Sequence, residues 1–402
     1  MTVTEAVERA HRDEWARVLA VTVRLTRDLD LAEECVQDAF AQALRTWPEA
    51  GVPDRPGAWL TTVARNRALD RLRREAAFRR VLPQLVTDEV APPADDRLGL
   101  ILMCCHPALS RDAQVALTLR LVGGLSTAEV ARAYLVPEPT MAARITRAKR
   151  KIAAARIPLR VPGPDALPAR VAAACEVVHL VFTTGHTAPG GAELTRPDLV
   201  GGALTLARML HLLLPRDPEV TALLALLLLT DARGGTRTDG EGRLVLLADQ
   251  DRSRWDRERI AEGTALLGEA LRRPPSRWAV QAAIAAVHAE APTWAATDWT
   301  EICGLYDALL ALWPNPVVRL NRAVAVGFRD GPAAGLAALD ALLSEPALAG
   351  YGYLAAARAD FLRRLGRRAE AALAYEEALA LTANEAERAF LTRSLGALGC
   401  NG

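Results

Sequence analysis

The stretch LSTAEVARAYLVPEPTMAARITRAKRKI, Leu125 to Ile152, decides how this chain is read. Ser126 or Thr127 offers a capping hydroxyl, and Glu129 places a carboxylate against the orphan N–H groups of a first helical turn. Val130, Ala131, Tyr134 and Leu135 follow as an apolar stripe, and Val136, Pro137 and Glu138 form a turn. Pro139 suits the first turn of a second helix, where its missing N–H costs nothing, and Met141, Ile145, Ala148 and Ile152 give that helix one core face. The other face presents Thr140, Ala143, Arg147 and Arg150, flanked by Arg144, Lys149 and Lys151, with no acid between Pro139 and Arg160. The pair reads as a helix-turn-helix whose second helix suits a DNA major groove. An arginine-rich amphipathic helix is also what a solvated surface helix looks like, so the rest of the N-terminal half decides.

Upstream lie two further constellations. Asp28, Asp30, Glu33, Glu34 and Asp38 crowd one short helical segment together with Gln37. Acids spaced in this way usually mark a solvated face, and with no paired histidine they offer neither a metal site nor a hydrolase. From Trp59 to Arg80, apolar anchors alternate with Arg65, Asn66, Arg67, Arg71, Arg73 and Arg74. Arginines of this kind contact phosphates, while Asn and Thr can hydrogen-bond base edges or hold an unstacked base. Trp59, Leu60 and Val63 are equally readable as plain core.

Composition sets the frame. A 402-residue chain should hold about two to three domains. Its net charge of +1 hides an asymmetry: residues 1–160 carry 25 Lys and Arg against 20 Asp and Glu, leaving 24 against 28 for the remainder. Six scattered cysteines lack zinc-site spacing and disulfide-scaffold density, which favours the cytoplasm. Residues 1–20 contain no apolar stretch of the signal-peptide kind, and the longest greasy run, Ala222 to Leu229, falls short of the ~20 residues a bilayer needs, so no membrane role is expected. Helical periodicity dominates and alternating β-branched runs are nearly absent, which predicts an all-α protein. Prolines mark two breaks: Val81 to Arg97, with Pro83, Pro92 and Pro93, and a hinge over 158–168 with Pro158, Pro162, Pro164 and Pro168. The expected division is 1–80, a linker at 81–97, 98–157, the hinge, and 169–402. In the first module Val18, Leu19, Val23 and Leu25 are expected to pack with Leu31, Cys35, Val36, Ala39, Phe40 and Leu44. In the second, a helix from Gln114 to Arg120 is ended by Gly123 and Gly124. Near the C-terminus Leu362, Gly366, Ala371, Tyr375 and Ala378 stand at the offsets of a tetratricopeptide repeat, which predicts a helical solenoid.

Taken together, these residues resemble the extracytoplasmic-function sigma factors of bacterial RNA polymerase. The segment around Asp30, Ala32, Glu33, Gln37, Asp38 and Phe40 is similar to their polymerase-binding helix. Trp59-Leu60 with Ala64, Asn66 and Asp70 is similar to their −10 reading region, and Leu117 to Lys151 to their −35 module. LMCCHPALS (Leu102–Ser110), RAKRKI, DQDRSRW (Asp249–Trp255) and QAAIAAVHAEA from Gln281 resemble the subgroup with a tetratricopeptide-like C-terminal extension. The resemblance implies that Asp30, Glu33, Glu34, Gln37 and Asp38 meet core RNA polymerase. It places Trp59, Thr62, Val63, Asn66, Arg73 and Arg74 at the unpaired −10 strand of promoter DNA, and Thr140, Ala143, Arg144, Arg147, Arg150 and Lys151 at the −35 groove. Many relatives carry Gly then Thr at the start of the recognition helix and a basic residue two positions after that Thr; here Pro139, Thr140 and Ala142 stand there, so the family's −35 base preference does not carry over. The resemblance further implies that no separate anti-sigma protein serves, leaving the extension as a built-in regulator or a surface for a protein partner. No cofactor, metal or catalytic residue is expected; adjacent Cys104 and Cys105 beside His106 chelate one zinc poorly. The rival is a helix-turn-helix operator-binding regulator with a solenoid sensor, in which the Asp28–Asp38 and Trp59–Arg74 segments have no role. A pure repeat scaffold leaves the basic front half unexplained.

Overall fold

The computed structural model describes residues 3–79, 96–134 and 136–399. Leu135, Cys400 and all of the expected linker save Asp96 and Arg97 lie outside the described residues. Among the described residues there is no strand, only the isolated bridges Gly191↔Asn384 and Thr238↔Leu244, and the protein is all-α as its periodicity predicts. Two compact units divide it, residues 1–180 and 181–402.

The first unit opens with α1 (Val3–Thr26), α2 (Leu29–Ala50) and α3 (Pro56–Arg79), which pack pairwise. Asp28 caps α2 by accepting hydrogen bonds from the N–H groups of Asp30 and Leu31 at 2.8 and 3.0 Å. Val18, Leu19, Val36, Ala39, Trp47, Leu60, Ala64 and Ala68 form the shared interior. Leu44, expected there, is half exposed because it falls outside the apolar stripe set by Val36, Ala39, Ala43 and Trp47. Next come α4 (Asp96–Cys104) and α5 (Arg111–Leu117), the latter prolonged by a π-helical turn over Thr118–Val122. Gly124, at φ +71°, ends it where an L side chain is strained, and an added Cβ there would stand 3.1 Å from His11 and 3.3 Å from Trp15.

Then α6 (Thr127–Ala133) and α7 (Glu138–Ala154) make the helix-turn-helix. Ser126 caps α6 in a reciprocal box with Glu129, whose carboxyl is held below its usual pKa chiefly by the bonds from Ser126. Prolines keep Pro158 to Ala166 non-helical before α8 (Leu167–His186) begins. The compact division nevertheless falls inside α8, at 180/181, and not at the prolines. The first half of α8 is bound into the front unit: Val171, Ala174 and Cys175 are buried, and Arg170 donates to the Leu102 carbonyl at 3.2 Å. By length and composition α8 is apolar enough to cross a bilayer, unlike the shorter Ala222–Leu229 run; its Val177, Val178, Val181 and Phe182 are spent on the protein interior.

The second unit continues with α9 (Pro197–Leu213), α10 (Pro218–Asp231), α11 (Arg257–Ala270), α12 (Arg277–Glu290), α13 (Trp299–Leu312) and α14 (Pro316–Arg329). It ends with α15 (Pro332–Asp340), α16 (Gly352–Arg364), α17 (Arg368–Leu381) and α18 (Glu385–Gly399). Proline begins α9, α10, α14 and α15, where its fixed φ fits and no N–H is needed. The Ala222–Leu229 run lies within α10, which is buried all round and packs against α9, α11 and α12. Leu362, Ala371, Tyr375 and Ala378 are buried where α16 meets α17, and Gly366 turns between them at φ +74°. Gly327 lets α14 approach Phe361 so closely that a Cβ would collide with the ring. The unit is clasped end to end: Asn384 donates to the carbonyls of Ala188 and Glu193 at 3.1 and 2.8 Å, and accepts from the N–H groups that open α18.

Candidate nucleic-acid interface

On α7 the core face is as expected, with Met141, Ile145, Ala148 and Ile152 buried. Thr140, Ala143, Arg147, Arg150 and Lys151 are exposed on the opposite face. Arg144 is partly withdrawn, 3.4 Å from Asp112 of α5. Exposed guanidinium groups on one face can bridge phosphates and reach base edges.

On α3, Thr62, Asn66, Arg73 and Arg74 are exposed, and Thr62 Oγ1 donates to the Ala58 carbonyl one turn back at 2.9 Å. Val63 is half-buried, and Trp59 sets its ring edge-on to Trp47 at 5.5 Å, so Trp59 is in part a packing residue. Two of the arginines fold back onto α2: Arg71 onto Glu34 at 2.9 Å and Arg67 onto Gln42 at 3.3 Å.

Of the α2 residues, Asp30, Glu34 and Gln37 are exposed and Asp38 is half-buried. Glu33 differs. It is 5% exposed and sits between two cations of the helix-turn-helix module. Lys149 of α7 reaches Glu33 at 2.5 Å and Asp30 at 2.6 Å, while Arg120 pairs with the other Glu33 oxygen. Burial alone would lower the Lys149 pKa; Glu33 and Asp30 overcome that and hold the ammonium above its usual value. Around this charge cluster, Trp15 Nε1 donates to the Leu121 carbonyl at 3.1 Å, Arg120 lies over the Trp15 ring, and His11 and Phe40 flank it. Burial, with Arg120 nearby, lowers the His11 pKa. Arg24 meets Asp96 at 3.3 Å at a second point. The module carrying α2 and the module carrying α7 are therefore docked on one another, with Glu33 of α2 and Lys149 of α7 as the polar lock. Arg120 and Trp15 had no signal in the sequence, because their partners lie far along the chain.

The remaining motifs are structural. Cys104 and Cys105 are buried, and burial pushes the Cys105 thiol up to about 11. Gln114 donates to the carbonyls of Cys105 and His106 at 3.3 and 2.9 Å. In DQDRSRW, Arg252 donates to the carbonyls of His288 and Ala291, each at 2.7 Å, and lies 4.8 Å from the Trp255 ring centre. No group of three or more metal-ligating side chains occurs among the described residues.

Comparison with known proteins gives three family matches along the chain. Residues 12–78 match the family model for sigma-70 region 2, residues 99–152 that for sigma-70 region 4, and residues 170–271 a family of unknown function, DUF6596. An uncharacterized protein of Rhizobium meliloti (strain 1021) is 42% identical over 98% of this chain and 96% of its own length. The ECF RNA polymerase sigma factor SigK of Mycobacterium ulcerans (strain Agy99) is 29% identical over 36% of this chain and 86% of its own. The probable ECF RNA polymerase sigma factor SigI of Mycobacterium tuberculosis is 30% identical over 38% of this chain and 55% of its own. No solved structure matches the chain. With both sigma regions present in order, on helices whose exposed faces are basic, the chain belongs to the extracytoplasmic-function branch of the sigma-70 family of RNA polymerase sigma factors.

Proposed function

We propose that the protein acts in the cytoplasm as a promoter-specificity subunit whose two DNA-reading modules are stored docked together and are parted by core RNA polymerase. Asp30, Glu33, Glu34, Gln37 and Asp38 meet the polymerase. Thr62, Val63, Asn66, Arg73 and Arg74, with Trp59 behind them, hold the unpaired −10 strand. Thr140, Ala143, Arg147, Arg150 and Lys151 enter the −35 groove, joined by Arg144 once it leaves Asp112. The chain supplies no catalysis of its own; the tetratricopeptide-like extension tunes output, by itself or through a protein partner.

The observation that carries this reading is the burial of Glu33 against Lys149 and Arg120. A polymerase-facing acid and a DNA-facing helix cannot both engage their targets while locked to each other. A dimeric operator-binding regulator has no use for such a lock. The test is run-off transcription with purified core enzyme beside footprinting of the free protein. Free protein is expected to bind duplex weakly and without sequence preference, with specificity appearing only with core enzyme. A tight, sequence-specific footprint from the free protein favours the operator-binding regulator instead.

A further inference from the structure

In the C-terminal unit two guanidinium groups converge on the end of α8, and among the described residues no carboxylate forms an ion pair with either. Arg233 follows α10, and Arg237 stands one 3₁₀ turn later, past Gly234–Thr236. Their side chains reach adjacent residues: Arg233 Nη2 lies 3.3 Å from His186 Nε2, and Arg237 Nη2 donates to Thr187 Oγ1 at 2.9 Å. Neither arginine forms an ion pair among the described residues. Arg237 is 9% exposed, and its Nη1 is buried without a hydrogen-bond partner. Arg233 is only partly covered, which leaves an approach from solvent. Glu387 is close enough to act on Arg237 through space, but one of its oxygens accepts from the Tyr353 hydroxyl at 2.6 Å.

Arg252 shows what a satisfied buried arginine in this unit looks like. Its guanidinium has two carbonyls, the Thr297 hydroxyl at 3.3 Å and the Trp255 ring. Arg233 and Arg237 have one acceptor each and repel one another. Burial, and for Arg233 the neighbouring Arg237 charge, holds their pKa values down at about 9 and about 10. Burial, reinforced by both arginines, likewise keeps His186 neutral, so its Nε2 serves Arg233 as an acceptor and adds no charge. Burying a guanidinium without an ion-pair partner is costly, and two of them side by side favour an anion between them.

We infer that His186, Thr187, Arg233 and Arg237 form a binding site for a small oxyanion, a phosphate or carboxylate group that reaches Arg233 from solvent and takes the unmated Nη1 of Arg237. Planar guanidinium forks match both kinds of oxyanion, and two of them fix one group from two sides. Such a site exists whether or not the front modules read promoters. The test follows thermal unfolding of the full-length protein in phosphate, in acetate and in chloride at equal ionic strength. Phosphate or acetate is expected to raise the midpoint by about 2–4 °C over chloride with a saturating dose dependence. Whichever acts at the lower concentration tells a phosphoryl source from a carboxylate one. Arg237→Met should lose the response and, without anion, melt no lower than the wild type, since the unpaired charge is gone. If that variant does not fold, Arg233→Gln, at the more exposed position, carries the same comparison. Equal midpoints of the wild type in all three salts overturn the site, as does an undiminished response in either variant.

Discussion

Arg147 and Lys151 share a helix face but stand one turn apart, and that spacing predicts different losses. Arg147 lies nearer the start of α7, exposed, where a bidentate guanine contact is worth ~1–3 kcal/mol. Arg147→Ala should cut −35-dependent transcription by about one to two orders of magnitude. Lys151→Ala should weaken matched and mismatched −35 elements alike, as loss of a phosphate contact does. Transcription from a paired set of templates checks this, and equal behaviour of the two variants removes the assignment. Arg147 was legible from sequence because helical periodicity alone sets which face of α7 is core. Lys149 was less so: by spacing it belongs with the flanking cations, and only the fold turns it toward acids more than a hundred residues earlier. The same limit hid Arg233 and Arg237, ordinary loop arginines until α8 is set beside them.

At the scale of elements, α2 and α7 each carry a face proposed to serve another molecule, and part of both faces goes into their mutual contact. Removing the Lys149 ammonium with Lys149→Met leaves Glu33 its partner Arg120 while releasing Asp30, so the modules stay folded but dock less firmly. Core polymerase should then bind several-fold more tightly, because less of the contact has to be broken first. Competition binding against the wild type measures it, and an unchanged or weaker affinity means that the contact is no lock. The helix-turn-helix elements were readable, because the Ser126–Glu129 box and the turn near Pro137 are local chemistry. How far α8 belongs to the front unit was not readable. Prolines at 158–168 mark where helix cannot run, and they carry no information about where packing stops.

For the whole molecule, two consequences follow from burial. His179, His186 and His288 are half-buried and held neutral, desolvation pulling His179 and His288 down to about 4 and, with Arg237 and Arg233 nearby, His186 to about 2. A depressed pKa means stability that is complete above the unfolded value of 6.5 and is lost as pH falls, since only the unfolded chain takes up those protons. Each histidine should remove about 1.4 kcal/mol per pH unit between 6.5 and 4. Melting midpoints should therefore hold from pH 7 to 9 and fall steadily below 6.5; a midpoint unchanged at pH 4.5 contradicts the neutral assignment. The second consequence concerns truncation. A chain stopped after Arg160 loses Val171, Cys175 and Val178, apolar side chains worth ~1.5–3 kcal/mol each when fully buried, and the Arg170 bond to Leu102. A chain stopped after Leu180 keeps them. The longer fragment should melt cooperatively and bind core polymerase, and the shorter one should melt several degrees lower. With the longer fragment at equal occupancy of core enzyme, transcription from the target promoter should fall severalfold relative to the full chain. The residues from Val181 onward form a compact unit of their own. Equal output from the 1–180 chain and the full-length protein would deny the extension any part in controlling transcription and leave the oxyanion site to some other task.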